Sequence, residues 1–379
     1  MSENSLFAVL LRSPWWISFV VVGLITLTAG ALLPKEYFVV GALAGFPIFV
    51  VGCIAAWKQL RAPNPAKSLV PELRRSLVAA AKGVAGVENV SVNITTKVIA
   101  HAVQRGVQLL PQVKNIIAVA SGKGGVGKST TAANLALAMA AEGASVGVLD
   151  ADIYGPSQPM MLGINRRPES DDGKTMEPLE NYGVQVMSIG FLVDQDEAMI
   201  WRGPMATQAL EQLLRQTNWK DLDYLIIDMP PGTGDIQLTL SQRVPMTGAV
   251  IVTTPQDIAL LDAKKGIKMF EKVGVPILGI VENMAAHVCS NCGHVEHIFG
   301  ADGGKKMAAE YNMDYLGALP LDMSIRLQAD SGKPTVVADP DGDVAKIYKK
   351  VARDVAVKIA QQAKDFSNKF PTISISKNT

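Results

Sequence analysis

Ser121-Gly122-Lys123-Gly124-Gly125-Val126-Gly127-Lys128-Ser129-Thr130 decides the fold of this 379-residue chain. The run fits G-x-x-x-x-G-K-S/T, a loop that wraps nucleotide phosphates. Its glycines let backbone N–H groups turn inward around a β-phosphate, where a Cβ would clash. Gly122, Gly124, Gly125, Val126, Gly127, Lys128, Ser129 and Thr130 form the predicted nucleotide-contacting set. Lys128 is expected to reach the β/γ oxygens and Ser129 to offer its hydroxyl to Mg²⁺. As a surface-loop lysine, Lys128 is expected to contribute little to stability. The apolar run Asn115–Ala120 predicts a buried strand before the loop, and the Ala/Leu-rich stretch Thr130–Ala141 a helix after it. The N-terminus of that helix adds its dipole to the anion site.

Working outward, Val146–Leu149 reads as an apolar strand ending in Asp150-Ala151-Asp152, and Tyr224–Ile227 as another ending in Asp228. Ligands of open α/β sheets bind beyond the C-terminal ends of the strands, so these carboxylates converge on the loop. Asp228 occupies the usual position for a carboxylate supporting Mg²⁺. Met229-Pro230-Pro231-Gly232-Thr233-Gly234-Asp235 follows as a rigid turn, suited to sensing a γ-phosphate through the Gly232 N–H. Further strands are predicted at Gly248–Thr253 and Ile277–Val281. Strands alternating with helical stretches imply an α/β fold, a doubly wound, mostly parallel sheet of P-loop NTPase type. That domain is expected over 113–365.

Three cysteines argue against a disulfide scaffold. Cys53 lies in an apolar segment and reads as a small hydrophobe. Cys289-Ser290-Asn291-Cys292-Gly293-His294 is a Cys-x-x-Cys in a loop. Spacing alone leaves four readings open. Two pairs from two copies of the chain complete an all-thiolate iron–sulfur site. Tetrahedral zinc is served either by the same sharing or by His294 and His297. A redox dithiol and an unliganded pair are the remaining two.

Lys123, directly after the first loop glycine, resembles the deviant P-loop of the MinD/ParA superfamily. With Asp-Ala-Asp-Ile-Tyr-Gly-Pro-Ser (Asp150–Ser157), Asp-Met-Pro-Pro-Gly-Thr-Gly-Asp (Asp228–Asp235), Val-Glu-Asn-Met ahead of the cysteines and Ile298-Phe299-Gly300 after them, the chain resembles the Mrp/ApbC family over roughly Leu69–Lys364. That resemblance implies an iron–sulfur cluster carrier that binds and hydrolyses ATP with Mg²⁺. It implies that Lys123, Lys128 and Asp152 are catalytic, with Lys123 crossing a homodimer interface and Asp152 positioning the attacking water. It further implies that Asp150 supports the metal region, that Asn283 contacts adenine, and that Cys289 and Cys292 hold a 4Fe–4S cluster shared between two subunits and passed to apo-proteins. The competing readings are a MinD/ParA-like positioning switch, in which a Cys-x-x-Cys has no purpose, and a bacterial tyrosine kinase. The latter is disfavoured because no tyrosine follows Tyr348.

The N-terminus departs from that family. The runs 15–33 and 37–57 contain no charged residue and are separated by Pro34-Lys35-Glu36. At about 1.5 Å per helical residue, each suffices for a bilayer core of about 30 Å. A membrane hairpin over 1–61 is therefore expected, making membrane lipid a partner. Arg12, Lys58, Arg61 and Lys67 then place both termini, and the ATPase domain, on the cytoplasmic side of a bacterial inner-membrane-type bilayer. Residues 62–112 read as a basic linker with the remnant of a small α/β domain, and 366–379 as a disordered tail. The helical stretch Val344–Ala363 has a one-sided apolar pattern and is expected to pack on the core. A net charge of +1 gives no electrostatic footprint for nucleic acid.

Overall fold

Val113–Ala120 forms β1, whose last six residues are buried because neighbouring strands pair on both sides of it. The computed structural model describes residues 78–80, 98–101, 103, 107–193, 201, 203–289 and 291–362. The chain divides into two units, Met1–Lys97 and Val98–Thr379. In the first, only 78–80 are described, and they are helical.

In the second unit the chain runs from β1 into α1 (Lys128–Ala141), β2 (Val146–Asp150), α2 (Gln158–Met161), β3 (Leu179–Asn181), β4 (Val184–Ser188) and α3 (Gly203–Gln216). It continues through β5 (Leu222–Asp228), α4 (Asp235–Arg243), β6 (Gly248–Thr253), α5 (Asp257–Lys272) and β7 (Ile277–Glu282). The short strands β8 (His287–Val288) and β9 (Val295–Glu296), then α6 (Gly303–Glu310), β10 (Tyr315–Ala318), α7 (Met323–Asp330), α8 (Thr335–Ala338) and α9 (Asp343–Ala360), complete it.

Eight strands form one sheet in the order β10-β7-β6-β1-β5-β2-β4-β3, parallel throughout except for the antiparallel edge pair β3–β4. The strand order reverses beside β1, so the loop after β1 opens at the switch point where such sheets bind ligands. Asp150 and Asp228 stand in register at the ends of β2 and β5, with Val119 of β1 beside Asp228. α9 lays Tyr348, Val351, Val355 and Ile359 into the core, as the one-sided pattern predicts.

The expected membrane-anchored location is corrected. Among the described residues no helix is long and apolar enough to cross a membrane. The 18-residue α9 illustrates why: one face is apolar and the other carries ion pairs such as Lys346–Asp343 and Lys350–Asp354. The expected hairpin helices, most of the 62–112 linker and the 366–379 tail lie outside the described residues. The membrane placement is not carried forward.

Candidate functional site

The loop between β1 and α1 is held by glycines at two close approaches. A Cβ on Gly122 would stand 2.1 Å from the backbone carbon of Asp262, so the loop lies directly on α5. Gly127 takes φ 82° at the start of α1, and a Cβ there would stand 2.1 Å from Nδ2 of Asn283. That Nδ2 donates to the Val126 carbonyl at 2.9 Å. Asn283, expected at adenine, therefore braces the loop. The Gly232 N–H, expected at the γ-phosphate, donates to the Ser121 carbonyl at 2.9 Å. Both tie separate strand ends to the phosphate loop. Lys123 is half-buried and Gly124 and Gly125 are exposed on its outer side; Thr130 is half-buried in the first turn of α1.

Lys128 is not a surface lysine. It is only 6% exposed and lies against the fully buried Asp228, pairing with Oδ1. The same ammonium is 3.2 Å from Ser129 Oγ and 3.8 Å from Asp152 Oδ2. Ser129, Asp152 and Asp228 thus meet at one cation. Asp152 is half-buried, and that burial pushes its carboxyl up against the opposing pull of Lys128.

Asp150, expected to support the metal region, is engaged by the loop that follows it and by Ser188. Oδ1 accepts from the Asp152 N–H at 3.2 Å, and Oδ2 accepts from the Ser157 and Gln158 N–H groups at 3.0 Å and the Ser188 hydroxyl at 3.1 Å. A carboxylate offers about four acceptor directions, and here the folded loop 151–158 takes three and Ser188 the fourth. Full burial, then the neighbouring Asp228 charge, push its carboxyl up to about 7 despite those donors.

Gln158 was missed in the sequence. It is fully buried, and its Nε2 donates both to the Ser129 carbonyl at 3.0 Å and to Asp228 Oδ2 at 2.9 Å. A glutamine eight residues beyond a strand carries no periodic or motif signal. Only the fold of the intervening loop brings it to Asp228.

The cysteines sit in a separate hairpin. β8 and β9 pair antiparallel, and Cys289–His294 form the connection between them. The Cys289 N–H donates to the His294 carbonyl at 2.9 Å, and the Gly293 N–H to the Cys289 carbonyl at 2.8 Å. The backbone N–H groups of Cys292 and Asn291, then the Cys292 thiol, hold the Cys289 thiol below its ordinary range. This knuckle favours thiolate, the form that binds metal. Both thiols are free, Cys292 exposed and Cys289 half-buried. Among the described residues no three His, Cys, Asp or Glu side chains are grouped to hold a metal ion. Of the two histidines in the alternative zinc reading, His297 Nδ1 lies 2.7 Å from the Ala285 carbonyl and His294 Nε2 lies 3.9 Å from Glu296.

Residues 112–356 match the family model described as ParA, NUBPL iron-transfer P-loop NTPase. The chain is 61% identical over 269 residues to an iron–sulfur cluster carrier protein of Pseudomonas fragi, covering 70% of this chain and 94% of that one. It is 63% identical over 251 residues to the iron–sulfur cluster carrier protein of Escherichia coli, covering 66% and 68%. The iron–sulfur cluster transfer protein NUBPL of Mus musculus is 55% identical over 245 residues, covering 64% and 77%. Among solved structures, a nucleotide-binding protein of Archaeoglobus fulgidus in complex with ADP, with Co, superposes with a TM-score of 0.55 at 37% identity, covering 62% of this chain and 93% of that one.

Proposed function

The chain belongs to the ParA group of NUBPL iron-transfer P-loop NTPases, and from that premise we propose how its two sites divide the work. It is an iron–sulfur cluster carrier with a P-loop ATPase domain. We take that domain as 113–365, joined through 62–112 to the N-terminal segment. ATP lies along Gly122–Thr130, with backbone N–H groups turned to the phosphates. Lys128 exchanges Asp228 Oδ1 for the β/γ oxygens, and Lys123 reaches the nucleotide of a second copy. Asp152, the half-buried carboxylate beside Lys128, orients the attacking water. Gly232 follows the γ-phosphate through the strand end it ties to the loop. Asn283 keeps its Oδ1 for the adenine edge while its Nδ2 braces Val126.

Ser129 Oγ and the Asp228 carboxylate make an all-oxygen donor set, which fits a hard hydrated cation such as Mg²⁺, with Asp150 shaping the loop beside it. When bound with ATP, Mg²⁺ offsets the charge that builds on the phosphate oxygens. Asp228 keeps the hydrogen bond from Gln158 when Lys128 leaves it, so its carboxylate stays oriented.

The cargo is a 4Fe–4S cluster. Each chain supplies Cys289 and Cys292, so a homodimer supplies four thiolates to one cluster on its two-fold axis. The observation that carries this reading is the knuckle itself: two accessible thiols, one held toward thiolate by N–H donors, with no further protein ligand grouped beside them among the described residues. Such a half-site binds weakly alone and releases its cargo when the dimer opens, which suits delivery to apo-proteins. The route from nucleotide to cargo is short. Asn283 touches the phosphate loop, and two residues later the Ala285 carbonyl meets His297 just beyond β9.

Anaerobic reconstitution with iron and sulfide tests the cargo site. Wild type is expected to gain the broad visible absorbance of thiolate-to-iron charge transfer, and Cys289→Ala and Cys292→Ala each to lose it. Full reconstitution of either variant would place the ligands elsewhere. Stoichiometric zinc with no chromophore in wild type would make the hairpin a structural clip.

A further inference from the structure

Gln158 carries one polar atom that the folded chain leaves without a partner. Its carboxamide is fully buried, and both Nε2 bonds go to oxygens, the Ser129 carbonyl and Asp228 Oδ2. Oε1 is buried and has no hydrogen-bond partner. The amide cannot turn over to relieve this, because Oε1 would then face two acceptors. A buried acceptor left without a donor is destabilising, so the position is costly unless something donates to it. The adjacent Ser157 Oγ is also buried without a partner. Of these two oxygens, Oε1 belongs to the amide that bonds Ser129 and Asp228, the residues to which the divalent cation is assigned. A carbonyl oxygen suits the water hydrogens around a hydrated Mg²⁺, an ion that retains much of its own water.

We infer that Gln158 is a positioning residue for the divalent cation that accompanies ATP: its Nε2 fixes Asp228 and the Ser129 backbone, and its Oε1 accepts from the hydration shell of the cation. The two halves of the amide explain each other. Nε2 holds Asp228 in place when Lys128 turns to phosphate, and this fixed orientation aims Oε1 at the donor it lacks. Because the Gln158 N–H also bonds Asp150, the same residue ties the cation to the loop carrying Asp152. A change at the metal is thereby felt at the residue placed beside the attacking water.

The inference rests on the nucleotide reading, and its test separates the two. Affinity for a fluorescent ATP analogue is measured with Mg²⁺ and with EDTA, and Mn²⁺ uptake in the presence of ATP is followed by electron paramagnetic resonance. Wild type is expected to bind the analogue more tightly with Mg²⁺. Gln158→Leu, which removes Nε2 and Oε1, should cut that Mg²⁺-dependent gain and the Mn²⁺ affinity about 10-fold, with a smaller loss in EDTA. Gln158→Glu keeps an acceptor but loses the Nε2 donor and sets a carboxylate oxygen against Asp228 Oδ2 and the Ser129 carbonyl, so it should lose the gain as well. If Gln158→Leu does not fold, Gln158→Glu decides alone. An unchanged Mg²⁺-dependent gain in either variant, or equal losses with and without Mg²⁺, would overturn the inference. Wild type that binds no nucleotide would overturn the nucleotide reading and this inference with it.

Discussion

Lys128 has two sets of partners to satisfy, the phosphates of a nucleotide and the buried Asp228. Its loop position reads as exposed in the sequence, yet the chain folds so that the ammonium compensates a fully buried carboxylate. Removing one member of a buried pair costs about 3–5 kcal/mol, because the other charge is left uncompensated. Lys128→Ala is therefore expected to lose nucleotide binding and also to unfold at lower urea. Lys128→Ala combined with Asp228→Asn should recover part of that stability while remaining inactive. Equal urea midpoints for wild type and Lys128→Ala would contradict the pairing. At this scale the sequence was legible where a side chain belongs to a spacing rule, as with Lys128 and Ser129, which the fold does bring together beside Asp228. It was silent on Gln158 and on the bracing bond of Asn283, because those depend on where loops return in space.

Among the elements, the loop after β2 is organised by one carboxylate and the loop after β1 by one helix backbone. Asp150 is pushed up to about 7 by burial and by Asp228, above its value in an unfolded chain. The native state then holds a proton that the unfolded state has lost between about pH 4 and 7. The contribution of Asp150 to stability is full below that window and declines as pH rises through it, opposite in sign to a salt-bridged carboxylate. Asp150→Asn should remove that part of the slope, read as the difference in urea midpoint between pH 5.5 and 7.5, chosen as roughly spanning the upper part of the window. An unaltered slope would mean the group is ionised throughout. Gly122→Ala drives a methyl into the α5 backbone at Asp262 and should cost about 1–3 kcal/mol, as overpacking does, while displacing the phosphate loop. Unchanged thermal unfolding and nucleotide affinity would show that the loop yields freely.

Strand assignments followed the same division. β1, β2, β5, β6 and β7 are apolar runs buried on both faces, and such runs announce themselves. β4 did not, because Gln185 interrupts it; the fold satisfies that amide by a reciprocal pair with the Lys220 backbone at 2.9 and 3.1 Å. β3 spans three residues at the antiparallel edge, too short for a pattern to register. The β8–β9 pair is shorter still, so the cysteine loop was legible as a ligand spacing but not as a hairpin.

For the whole molecule, two apolar runs near the N-terminus suggested a membrane anchor, and that placement did not survive. The length of an apolar run states how much surface a segment must bury, and it does not state in what medium. The order of the motifs was more informative. A phosphate loop, two strand-end aspartates and a Cys-x-x-Cys arrive in a sequence that the parallel sheet turns into one nucleotide site with a cysteine hairpin tethered to it through Asn283 and His297. A single chain offers the cargo two thiols, so the proposed function requires a second copy. That requirement is checked most directly by light scattering of the anaerobically loaded protein, with iron and sulfide counted on the same peak. One cluster of four irons per two chains is predicted, with Cys289→Ala eluting without iron. A loaded protein with the mass of one chain and a complete cluster would contradict it.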